Sequence, residues 1–279
     1  MSLRIRCGGG ARRVLSWLAV AAAAGLASGP FTAKAACPAP ATLGAAAVGQ
    51  FGSIKGRVVW GGEGIPQIKV LEEKGKADKD PQVCAKDRPI FSRELVVDPA
   101  TKGVSHAFAY LVRPRGENAG AVQQLLEKQP SVVLDQQNCE FLPYVLAMNE
   151  KQKLVVKSSD AGTNHNVHLN GFNNSSNQNV AAGTELKLDL VPEKLPIAIN
   201  CDIHPWMKAY VMVFDHPFFA TTGKDGSFEI RGVPAGKQNL VLWQETVGFV
   251  NKGAGRGMPV EVKADEATDV GEITLVPKK

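Results

Sequence analysis

Apolar and polar residues alternate along most of this chain in short runs separated by glycine, proline and asparagine. Residues 54–60 (IKGRVVW) and 104–112 (VSHAFAYLV) have strand composition, stopped by Gly61-Gly62 and by Arg113-Pro114. Residues 94–97 are predicted as a strand turned by Asp98-Pro99, whereas 71–89 are charged and read as loop. Further strands are predicted at 131–134, 144–148, 153–157, 166–169, 185–190, 197–200 and 209–214, then at 228–230, 239–243, 260–262 and 273–276. Residues 171–178 (GFNNSSNQ) read as a polar loop, 232–236 (GVPAG) as a tight connector and 253–257 as a glycine-rich loop. Only 121–128 carries a helical pattern, ended by Pro130. Many short strands at this spacing predict an all-β chain built as sandwiches or barrels.

The first 36 residues stand outside that pattern. Arg4, Arg6, Arg12 and Arg13 precede an alanine-rich apolar run at 14–26, and Ala33-Lys34-Ala35 follows. This is the layout of a secretory signal, with cleavage expected near Ala35 or Ala36. The run is short for a membrane span, so no span is expected in the mature chain, and Lys34 argues against a lipidated Cys37. Export to the periplasm or beyond follows. Residues 37–50 are small, contain proline and read as a linker.

Removing the signal changes the electrostatics. The formal charge of +5 equals the five basic residues of 1–36, which hold no acidic residue, so the remainder is near neutral. No basic patch argues for nucleic acid. In an oxidising compartment each of Cys37, Cys84, Cys139 and Cys201 must be paired, bound or buried.

The chemistry concentrates in Cys201-Asp202-Ile203-His204-Pro205-Trp206-Met207. A thiolate, an imidazole and a thioether on one tight loop suit copper, and two histidines, one cysteine and a weak axial methionine make the blue-copper donor set. A second histidine comes from Asn164-His165-Asn166-Val167-His168, after the polar turn Asp160-Ala161-Gly162-Thr163. His165 and His168 point to opposite faces of a strand, so one of them serves the site. Met212 is an alternative to Met207. If Cys201 binds metal, Cys84 and Cys139 are the natural disulfide pair, though spacing alone leaves the connectivity open.

The Cys-x2-His-x2-Met loop, framed by 198–200 and 209–214, resembles the copper loop of the cupredoxins and is similar in spacing to that of the amicyanins. The resemblance covers roughly 131–215. It implies His165, Cys201, His204 and Met207 as ligands of one mononuclear copper, with Asn166 tying the two ligand loops together. Beyond the loop, DIHPWMKAYVMVFDHPFFATTGKDGSF and VPAG…LVLWQE resemble a bacterial group in which a cupredoxin segment precedes a carboxypeptidase-regulatory-like or transthyretin-like sandwich. Gln244 and Tyr144 stand where that group leads one to expect histidines. The organisation implied is a signal peptide (1–36), a linker (37–50), an N-terminal β segment (51–118) packed with the C-terminal domain, a cupredoxin domain (119–215) and a carboxypeptidase-regulatory-like sandwich (216–279).

Electron transfer is the expected role, because four protein ligands leave copper no open position for a substrate. The partner is then a redox protein docking at Pro205 and Trp206. A copper oxidase or reductase would need a second centre, and five histidines without a His-Cys-His pair do not supply one. The chain is thus expected not to be an enzyme. The other reading is a module that binds copper, or that binds carbohydrate or protein through its C-terminal sandwich, without moving electrons. His106 and His216 read as structural. Thr222 to Phe228 lacks the carboxylate spacing of a calcium site and reads as a turn.

Overall fold

The structure, a computed structural model, describes residues 51–277. The expected signal peptide, the linker and Cys37 lie outside the described residues. The described chain is all-β apart from one helix, Ala119–Lys128, and one 3-10 turn, Ala254–Arg256. No helix among the described residues is long and apolar enough to cross a membrane.

Two sandwiches account for the core. In the first, one layer runs Ser175–Val180, His165–Asn170, Ile197–Asn200, Lys208–Phe214, Val145–Asn149, antiparallel except for the last pair. The facing layer runs Glu185–Leu188, Lys153–Ser158, Ser131–Gln137, Glu140–Leu142, with its central pair parallel. Alternate residues of each strand point inward, so Leu134, Leu154, Val156, Val167, Leu169, Ile197, Ile199 and Val211 join one apolar core.

The second sandwich is assembled from both ends of the described chain. Phe51–Trp60 lies between Ser227–Pro234, antiparallel to it, and Ala267–Leu275, parallel to it. The opposing sheet orders Phe219–Thr221, Phe108–Leu111, Gly236–Gln244 and Gly248–Phe249, with Met258–Val262 also on Gly236–Gln244. Ile54 and Val58 share a core with Leu111, Phe228, Ile230, Leu240 and Leu242. The turn before Ser227–Pro234 packs backbone to backbone. Gly226 has φ +79°, and a Cβ there would sit 2.2 Å from the Val58 carbonyl oxygen, so glycine is required.

Two strands are buried on both faces, which joins the sandwiches. On Lys208–Phe214, Ala209, Val211 and Val213 face the first core, whereas Met212 and Phe214 meet Phe108, Tyr110 and Val241 of the second sandwich. Phe108–Leu111 is buried throughout for the same reason. Between Phe51–Trp60 and Phe108–Leu111 the chain makes an excursion. Leu71, Ala77, Val83, Cys84, Ala85 and Ile90 pack on the core of the first sandwich, although the strands on either side of them belong to the second.

Several local expectations are corrected. Residues 94–97 form no strand; only Val97 bridges to Val104, and the Glu94 carbonyl is taken by the Gln244 side chain instead of a neighbouring strand. The run 104–112 is interrupted by His106 at φ +63°, so the strand begins at Phe108. The polar stretch 171–178 is half strand: Ser175–Val180 pairs along the edge of its sheet, where an outward face needs no apolar residues. In 232–236 only Ala235 is left outside the strands.

Candidate metal centre

Cys201 opens the loop between two paired strands, Ile197–Asn200 and Lys208–Phe214. The loop is held narrow from within: Met207 N–H donates to the His204 carbonyl at 2.9 Å, and Cys201 N–H donates to the Met207 carbonyl at 3.2 Å. That closure turns the thiol and the His204 ring to the same side. His165 begins the strand next to Ile197–Asn200 and reaches the same point. His165 Nδ1 lies 3.0 Å from His204 Nδ1, and Cys201 Sγ lies 3.8 Å from His204 Nδ1. One ligand atom from each of the three residues falls within 4.8 Å of the others, and all three residues are buried.

The outer nitrogens explain why the inner ones matter. His165 Nε2 is 2.9 Å from Asp160 Oδ2, and His204 Nε2 is 3.1 Å from Asp80 Oδ2. Each carboxylate accepts a proton from Nε2, which leaves Nδ1 as the lone-pair nitrogen. In the neutral rings two such lone pairs then face each other at 3.0 Å beside a sulfur. A proton or a metal cation between them relieves that opposition. The nitrogen–nitrogen–sulfur set suits a soft-to-borderline metal such as copper.

Asn166 ties the Cys201 loop to the start of the His165 strand. Its Oδ1 accepts from Asp202 N–H at 2.7 Å and from the Cys201 thiol at 3.2 Å, while its Nδ2 donates to Asp202 Oδ2 at 2.9 Å. Met207 is buried in the same core as Cys201. Met212 packs on the other side of the strand, against the second sandwich. His168 points away from His165, as residues three apart on a strand do; its Nδ1 meets Asp202 at 3.0 Å on the half-exposed outer face. Pro205 is exposed, and the half-buried Trp206 donates its indole N–H to the Cys139 carbonyl at 3.0 Å. Cys84 and Cys139 form a disulfide with Cα atoms 5.1 Å apart, and Cys201 is the free cysteine among the described residues.

The charges follow from these contacts. Burial pushes the Cys201 thiol up, but hydrogen bonds to His165 and His204 and from backbone groups outweigh it and bring it down to about 6. Burial pulls His165 down, yet its bonds to Asp160 and Cys201 carry it up to about 9. The Asp80 carboxyl is held below its usual range, chiefly by the Thr163 hydroxyl and further by His204.

Asp80 and Asp160 are the site residues that sequence reasoning missed. Asp160 had a weak signal, a polar turn five residues before His165. Asp80 had none, since it lies 124 positions from His204 in a charged loop. The other histidines are structural: His216 bridges the Leu111 carbonyl and the Phe218 N–H, and His106 bonds the Arg93 carbonyl and packs on Tyr144. The segment 222–228 is a turn in which Asp225 accepts from Ser227.

No protein-family model matches this chain, and no curated protein does. Among solved structures it is similar to a copper-containing nitrite reductase (NirK) from Thermus scotoductus SA-01, at 17% identity over 30% of this chain and 22% of that one, with a TM-score of 0.27. It is also similar to an amicyanin from Paracoccus versutus, at 13% identity over 30% of this chain and 81% of that one, TM-score 0.27. A reduced amicyanin variant matches at 17% identity over 38% of this chain and 98% of that one, TM-score 0.27. The chain spans about a fifth of the nitrite reductase.

Proposed function

We propose that this protein is an exported cupredoxin-type copper protein that passes single electrons, with His165, Cys201, His204 and Met207 as the ligands of one copper ion. The observation that carries this reading is the convergence of two imidazole Nδ1 atoms and a buried thiol whose outer hydrogen bonds are already satisfied. Bound copper supplies a one-electron couple. The chain supplies the rest. Asn166 and the two carboxylates hold the donor atoms in place, so little has to move when the charge changes. The surrounding core excludes water that would otherwise reorganise. The disulfide accords with the oxidising compartment that a signal peptide implies. A redox partner docks at the rim where Ile203 and Pro205 are exposed beside Trp206. The second sandwich, read as carboxypeptidase-regulatory-like, serves as a carbohydrate- or protein-contacting module.

The test is visible absorption of the copper-loaded mature chain. Intense thiolate-to-copper charge transfer is expected, and Cys201→Ala is expected to abolish it. A colourless protein, or colour surviving that substitution, overturns the reading.

One observation favours a second reading. His165 and His204 are both 0% exposed, so neither ring edge reaches solvent. A site sealed in this way also suits a protein that holds copper without shuttling electrons. Reversible voltammetry separates the two, since a holder gives no fast, reversible wave.

A further inference from the structure

The excursion described above carries Asp80 onto the His204 ring. Asp80 has φ +47°, and its carbonyl accepts from Val83 N–H and Cys84 N–H, each at 2.8 Å, which makes a tight turn. Its Oδ2 takes the Thr163 hydroxyl at 2.6 Å and His204 Nε2 at 3.1 Å. Four residues later Cys84 is bonded to Cys139. Cys139 N–H in turn donates to Asp160 Oδ2 at 2.8 Å, and Asn138 N–H donates to Asp160 Oδ1 at 2.6 Å. Asp160 is the carboxylate on His165. One disulfide therefore ties the turn that carries the first carboxylate to the turn that orients the second. Trp206, from the ligand loop, closes on the Cys139 carbonyl.

We infer that Asp80, held over His204 by a strap stapled through Cys84–Cys139, is a positioning residue of the metal centre that lowers its reduction potential and slows metal escape. The inference rests on the copper reading above. A carboxylate accepting the Nε2 proton makes the imidazole a stronger donor at Nδ1, which favours the more highly charged metal. It also fixes the ring's rotation, so the ring cannot swing away to release the ion. Asp80 is about a third exposed while the ring beneath it is sealed, so the carboxylate is the outermost part of that edge.

The experiment uses the mature chain, with Asp80→Asn, Asp80→Ala and the double substitution Cys84→Ser, Cys139→Ser. Asn keeps a hydrogen-bond acceptor and removes the charge, whereas Ala removes both. In Asp80→Asn the reduction potential is expected to rise. In Asp80→Ala it is expected to rise further, and copper transfer to an added bidentate chelator is expected to quicken about 10- to 100-fold. The double cysteine variant is expected to release copper faster, as Asp80→Ala does. Solvent exchange of the His204 Nε2 proton, followed by NMR on metal-free protein, is expected to quicken in Asp80→Ala and to be slow in the wild type. Unchanged potential in both Asp80 variants overturns the inference, as does rapid Nε2 exchange in the wild type. If the wild type takes up no copper, the copper reading fails and the potential-setting role fails with it. The exchange measurement still decides whether Asp80 clamps the ring. Asp80→Asn keeps the proposal falsifiable should the cysteine variant not fold.

Discussion

Two polar clusters among the described residues differ in what they lack. At the Cys201–Met207 loop, His165, His204 and Cys201 turn donor atoms toward a common point, and the nearby carboxylates occupy only the outer nitrogens. At the junction of the two sandwiches, Glu245 gathers Tyr144, Tyr210 and Lys208, with Glu94 also near Lys208. Burial pulls the lysine down, but Glu245 outweighs it and holds Lys208 above its usual range. Burial, with the adjacent carboxylate charge, drives the Tyr144 hydroxyl well above the ordinary phenol range. The junction cluster carries its own cation and is complete as a piece of structure. The Cys201–His204–His165 cluster has no lysine or arginine of its own and keeps its inner nitrogens together only with a proton or a metal cation between them. The direction of the donor atoms, more than burial, separates a candidate site from a joint.

That contrast can be broken by substitution. The largest effect is expected at His165: His165→Ala removes one of the converging nitrogens and should weaken copper binding by more than about 100-fold, beyond what loss of an outer partner costs. His168→Ala, on the outer face of the same strand, should leave affinity near that of the wild type. Competition with a calibrated chelator measures both. Equal losses would mean that the two histidines share the site.

Acid should act next. His165 is raised to about 9 and Cys201 lowered to about 6, so between those values copper displaces one proton, from His165 Nδ1, and none from the thiolate. Affinity should therefore fall about tenfold for each pH unit lowered through that window. Below about 6 the thiol competes as well and the fall should steepen. Chelator competition across pH reads the slope, and a flat profile would place the proton elsewhere.

The smallest effect belongs to the junction. Glu245→Gln leaves Lys208 and two tyrosine hydroxyls with a weaker acceptor and should cost about 1–3 kcal/mol of stability in urea unfolding. The thiolate-to-copper absorption should stay unchanged, because the cluster stabilises and does not bind. A shift of the absorption band in this variant would connect the two clusters.

Much of the first sandwich was legible in the chain. The strands read at 131–134, 144–148, 153–157, 166–169 and 209–214 are each found within a residue or a few of those bounds, because alternate residues face one apolar core. The segments that misled were those whose conformation depends on distant partners. Ser175–Val180 looks like loop because only its pairing with His165–Asn170 makes it a strand. Residues 94–97 look like strand, yet Gln244 takes the backbone group that a ladder would have used.

Short spacing was enough to pick out the candidate donor set of the loop, Cys201, His204 and Met207, because three metal-binding side chains within seven residues need only a tight turn to converge. Strand periodicity also narrowed the second histidine to His165 or His168. Long-range packing was needed to place Asp80 and Asp160 on the outer nitrogens, to join the Cys84–Cys139 pair that the sequence had only suggested, and to set the first strand into a sheet with Ser227–Pro234 and Ala267–Leu275. Local chemistry is written in short spacings. A carboxylate 124 positions from its histidine is placed by how two sheets and a strap pack, and no local pattern encodes that.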